Sequence, residues 1–74
     1  MPELPRISGR RAIRAFESMG FAVARQRGSH VVLRRGDAGR VVPLHTSLAV
    51  GTLRSAIRQA GVTPEEFIAA LEGR

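Results

Sequence analysis

The sequence predicts an α+β domain: a three-stranded antiparallel meander with helices packed against one of its faces. Three observations carry this. Apolar residues recur at helical spacing toward both ends of the chain, the middle alternates apolar and polar residues with period two, and glycine-containing turn signals divide that middle. Seventy-four residues make one domain, 1–74, in which 1–7 is expected to be a loosely ordered leader. A chain of this size buries about 60% of the surface it exposes when unfolded, and its core rarely supplies more than roughly 3–5 kcal/mol. No cysteine is present to staple it.

Ser8 is placed to cap the first helix, along which Ala12, Ile13, Phe16 and Met19 recur at three- and four-residue steps. Gly20 then provides a left-handed stop. Arg10, Arg11 and Arg14 fall off the apolar stripe. Arg10 and Arg14 lie one turn apart, and such like charges destabilise a helix slightly unless an anion sits on them.

A short strand is expected over residues 21–25, with Phe21 and Val23 on one face, followed by a turn at 26–29. A second strand spans 30–35 and a third 40–44, joined by Gly36-Asp37-Ala38-Gly39 as a four-residue connection. With Arg35 paired to Arg40, Leu33 faces Val42 and Val31 faces Leu44, so four apolar residues share one side. The other side carries His30, Val32, Arg34, Val41, Pro43 and His45, and His30 then stands opposite His45. Pro43 removes a ladder donor and marks a strand that is frayed or at an edge. A second helix is expected over 52–60, with Leu53, Ala56, Ile57 and Ala60 as its buried stripe and Gly61 as its end. The third has the strongest start signal in the chain: Thr63 as cap, Pro64 at the first helical position and Glu66 completing a capping box.

The formal net charge is +6, and all twelve cations are arginines. A guanidinium fork matches phosphate oxygens, so an anionic partner is expected, either nucleic acid or an acidic protein. With three Phe and no Tyr or Trp, a base-stacking platform is not. No apolar run approaches the ~18 residues of a membrane span, and no charged-then-apolar leader follows Met1. A cytoplasmic protein without membrane contact is expected.

Two histidines could carry chemistry. Metal-free RNA cleavage needs a base for the ribose 2′-hydroxyl and an acid for the leaving 5′-oxygen, and imidazole can serve as either near neutral pH. His30 follows Gly28 and Ser29, which offer close backbone approach and a hydroxyl donor, and it is either such a group or a surface strand histidine without a task. His45 is either the complementary acid or a strand terminator bonded to Thr46 and Ser47. Two imidazoles fall short of a metal ligand set, and no loop here has the form of a nucleotide cradle. No metal or cofactor is expected.

Gly20-Phe21 after the first helix, Gly28-Ser29-His30 opening the second strand, Val42-Pro43-Leu44-His45, the run 51–61 and Thr63-Pro64-Glu65-Glu66-Phe67 together resemble the HicA toxins. These are small bacterial mRNA interferases, also called the YcfA-type family. The likeness runs from about Ser8 to Leu71. It implies a fold like the double-stranded-RNA-binding domain, a ribonuclease that blocks translation by cutting mRNA, and a cognate HicB-type antitoxin that covers its site. It implies His30 as the catalytic histidine and RNA contacts from the first helix, the first strand turn and the start of the second helix. Those regions carry Arg10, Arg11, Arg14, Arg25, Arg27 and Arg54, and the expected RNA-binding set is Arg25, Arg27, Gly28, Ser29, Arg34 and Arg54. A free toxin of this kind is expected to be monomeric. A non-catalytic RNA-binding module, or a basic subunit engaging an acidic protein, would use the same charge.

Overall fold

The computed structural model describes residues 3–73. Helix α1 (Gly9–Ser18) leads into the meander β1 (Ala22–Arg27), β2 (His30–Arg35) and β3 (Ala38–Pro43), and helices α2 (Val50–Ala60) and α3 (Pro64–Leu71) follow. The sheet order is β1-β2-β3, antiparallel throughout. This is the α+β layout expected of a double-stranded-RNA-binding-domain-like fold with a short added helix.

The helix ends form as their local chemistry dictates. The Ser8 side chain accepts from the Arg11 N–H, and Gly20 adopts a positive φ just past α1. Helix α2 starts two residues earlier than expected, at Val50, with Ala49 at the cap position and no side chain serving it. At α3, the Thr63 hydroxyl accepts from the Glu66 N–H at 3.0 Å while the Glu66 carboxylate accepts from the Thr63 N–H at 2.8 Å. Two orphan donors are thereby satisfied reciprocally.

The core lies between the helices and one face of the sheet. Phe16 is its centre, fully buried, with the Phe21 ring edge-on at 5.5 Å and the Phe67 ring at 5.1 Å. Val31, Leu33 and Val42 join it from the sheet, and Leu53, Ala56, Ile57 and Ala60 from α2. All three aromatic side chains are thus consumed by the interior.

Two sequence expectations need correction. The connection between β2 and β3 is a two-residue turn, Gly36-Asp37, closed by the pair Arg35 and Ala38. Gly36 has φ +58° and Asp37 does not have a positive φ, the pattern of a primed hairpin turn that matches strand twist better than a four-residue connection does. Leu33 therefore pairs with Arg40, Val31 with Val42, and His30 with Pro43. His30 does not face His45. The slip is by two residues, so every side chain keeps the face expected for it. The second correction concerns the leader. Met1 and Pro2 lie outside the described residues, but Leu4 and Ile7 are buried in the core, and the Ile7 carbonyl accepts from the Leu48 N–H at 2.7 Å. Apolar burial and a backbone bond tie this segment down.

Candidate active site

The helix-free face of the sheet is where the titratable and cationic side chains gather. Pairing across β1 and β2 places Arg27 directly opposite His30, Arg25 opposite Val32 and Ala22 opposite Arg34. Partners in such pairs share a face, with Cβ atoms about 4.5–5.5 Å apart. Arg25, Arg27, His30 and Arg34 are all exposed, and their side chains make no hydrogen bond among the described residues. From β3 the same face receives Val41 and Pro43, and no carboxylate lies on it.

A bulge makes this arrangement possible. Strict alternation from Val23 would send Arg25 to the helix side, yet the register shifts between Val23 and Arg25, and Ala24 is left over. Val23 stays with Leu33 on the helix side while Arg25 and Arg27 turn to the face of His30. Along β1 the Cα atoms of those two residues are about 6.7 Å apart. Two unit charges at that separation in water repel by about 0.6 kcal/mol, a cost relieved when a polyanion lies across them.

The β1–β2 turn is Gly28-Ser29, with Gly28 at φ +57°. A Cβ there would touch nothing within 4 Å, so the backbone conformation, rather than close approach of a neighbour, requires glycine. The Gln26 side chain donates to the Gly28 carbonyl at 2.9 Å. The Ser29 carbonyl accepts from the Leu44 N–H at 2.7 Å, which anchors the residue before His30 to the chain leaving β3. His45 is exposed, two residues beyond the partner of His30, and its carbonyl accepts from the Gly9 N–H at 2.9 Å.

The remaining arginines have other places. Arg54 stands on α2, lining a groove with Arg58 and the Gly61–Pro64 link, and is not on the sheet face. Arg35, next to Arg34 in sequence, donates to the Met19 carbonyl at 2.9 Å and stacks 4.7 Å from the Phe21 ring centroid. Arg40 pairs with Leu33 on the helix side and lies beside the first turns of α2, where its Nε is buried without an acceptor. Of the six residues expected to bind RNA, the structure brings five to the β1–β2 end and outer face of the sheet and leaves Arg54 apart.

Among the described residues, no three His, Asp or Glu side chains cluster in a way that could hold a metal ion, and no helix is long and apolar enough to cross a membrane. The fold and this face define a small basic α+β domain that offers a free imidazole beside unpaired guanidiniums on an open sheet. The family model for the HicA toxin of bacterial toxin-antitoxin systems matches residues 9–62, well over half of the chain. The chain belongs to the HicA toxin family, which implies a cognate antitoxin as its partner. No curated protein gives a match.

Proposed function

We propose that this toxin is an endoribonuclease that cleaves mRNA through acid–base chemistry at His30, without metal or cofactor, and that a HicB-type antitoxin neutralises it. The observation that carries the reading is the pairing of an exposed imidazole with Arg27 on a face that also holds Arg25 and Arg34. His30 takes the proton of the ribose 2′-hydroxyl, and the 2′-oxygen attacks the adjacent phosphorus. The bond from phosphorus to the 5′-oxygen breaks, that oxygen takes up a proton, and the products are a 2′,3′-cyclic phosphate and a 5′-hydroxyl. Arg27 neutralises the scissile phosphate, while Arg25 and Arg34 hold the flanking ones. Binding rests on phosphate contacts, since every Phe is buried and no ring is left to stack on bases. The register leaves His45 without the pairing that suggested it as the second acid, so the closing proton comes from solvent or from His30 itself. Its substrate places the protein in the cytoplasm, where the free toxin acts as a monomer.

The test is His30→Ala on labelled RNA in EDTA. His30 is exposed, so the variant folds with a stability change within about 0.5 kcal/mol. Loss of general acid–base catalysis lowers the rate by roughly 10²–10⁴. Cleavage retained by the folded variant would refute the assignment.

A further inference from the structure

The outer face of the sheet changes character from one edge to the other. In an antiparallel sheet with one face in water, outward positions are ordinarily polar. Strand β1 follows this with Arg25 and Arg27, but the outward positions of β3 are Gly39, Val41 and Pro43. Pairing sets Pro43 beside His30 and Val41 beside Val32, so an aliphatic strip adjoins the imidazole on the side away from Arg27. Val41 is 45% exposed, one of only two large apolar residues so exposed among the described residues, while Val32 and Pro43 are half-buried. From β1 to β3 is two strand spacings, about 9–10 Å.

We infer that this strip takes an unpaired base next to the scissile phosphate, so that the substrate is a single-stranded stretch of RNA with phosphates on β1 and a base on β3. The inference rests on the nuclease reading above and names the form of RNA that this face accepts. In an A-form duplex the bases are paired and stacked inside the helix, and a protein surface meets mostly phosphates and ribose hydroxyls. A duplex would use the guanidiniums and leave Val41 without an apolar contact. An unpaired base has a free apolar face, and laying it on Val41 and Pro43 takes aliphatic surface of both out of water. The chemistry asks for the same arrangement. The attacking 2′-oxygen must stand in line with the bond from phosphorus to the 5′-oxygen, which regular A-form stacking prevents. A base held on β3 while its phosphates stay on β1 turns that nucleotide out of the stack beside His30. Aliphatic contact is weaker than stacking on an aromatic ring, so it adds to the phosphate contacts and does not replace them.

Fluorescence-anisotropy titration of a labelled RNA strand, alone and annealed to its complement, tests this in a His30→Ala background that leaves the RNA uncut. Val41→Thr keeps the branched shape but exchanges a methyl for a hydroxyl, and Val41→Phe offers a ring; both new residues favour strands, so both variants fold. The single strand is expected to bind Val41→Thr about threefold more weakly and Val41→Phe at least about fivefold more tightly. The log–log salt slope stays the same, because no phosphate contact is altered. Duplex affinity is expected to be weaker than single-strand affinity and equal in all of these proteins. Single-strand affinity within about twofold of the parent in both variants, with intact melting curves, overturns the inference. So does a duplex that binds as tightly as the single strand. Should one variant fail to fold, the other decides alone. Wild-type protein that cuts no RNA would overturn the nuclease reading, while the anisotropy result would still decide the role of Val41.

Discussion

Replacing Gly9 by alanine tests how the His30 end of the sheet is held. Gly9 opens α1 against the end of β3, and a Cβ there would fall 3.0 Å from the Pro43 carbonyl carbon and 3.1 Å from the Leu44 Cα, and closer still to the Pro43 oxygen. These are backbone atoms, so no side chain can swing aside. The first turn of α1 must retreat from β3 by on the order of 1 Å, the overpacking cost of which is about 1–3 kcal/mol. The retreat also stretches the Gly9 N–H bond to His45, 2.9 Å, and strains the neighbouring Leu44 bond to Ser29, 2.7 Å. Each such bond contributes about 0.5–1.5 kcal/mol net. A loss of about 2–4 kcal/mol is therefore expected, most of what a core of this size supplies. At about 4–8 °C per kcal/mol, the melting temperature falls by at least ~8 °C in a circular-dichroism melt. The companion Gly51→Ala has nothing within 4 Å of its new Cβ and lies in helix α2, so it is expected to hold or gain stability, by up to about 1 kcal/mol. A Gly9→Ala protein melting within about 2 °C of wild type would refute the reasoning, because the clash and both bonds would then cost less than ~0.5 kcal/mol.

Two further outcomes follow from named contacts. The Glu66 carboxyl is held below its ordinary range, first by the Thr63 backbone N–H and next by the Thr63 side chain; burial opposes this, and Arg35 adds attraction. A lowered folded pKa stabilises the protein above the unfolded carboxylate's pKa and ceases to do so as pH falls through the folded value. The melting-temperature gap between wild type and Glu66→Ala is thus expected to be open at neutral pH and to narrow on the acid side of the carboxylate range; a gap that is constant with pH would refute the capping account. Adjacent arginines separate in the same way. Arg34→Ala is expected to reduce the log–log salt slope of RNA binding by about 0.7 without loss of stability. Arg35→Ala is expected to leave the slope alone and cost about 1–2 kcal/mol, through its bond to Met19 and its stacking on Phe21. Equal effects of the two on the slope would count against the face assignment.

What could be read from the chain was whatever local chemistry decides. The Thr63–Glu66 capping box, the Ser8 cap and the Gly20 stop depend on residues within a few positions of one another, and each formed as expected. The hairpin register depended on how many residues the turn consumes, and Ala38 and Gly39 look like turn residues although the ladder takes them. Because the error was even, the His30 face survived it while the His30–His45 pair did not. The bulge at Ala24 carries no sequence mark, since alanine fits strand and bulge equally. Leu4 and Ile7 follow no period at all, so only the packed structure reveals them as core. Arg54 lies on α2 as expected, and its place in a groove with Arg58, apart from the sheet face, is visible only in the packed structure.

The charge itself is divided by the fold. A net charge of +6 reads from composition as one undifferentiated affinity for polyanions. In the folded chain, Arg35 closes the far end of the core, Arg40 lies beneath the first turns of α2, Arg10 and Arg14 rim an aliphatic groove, and Arg25, Arg27 and Arg34 stand free around His30. The last group sets unpaired guanidiniums beside an imidazole, and the proposed phosphodiester chemistry rests on that face of the sheet.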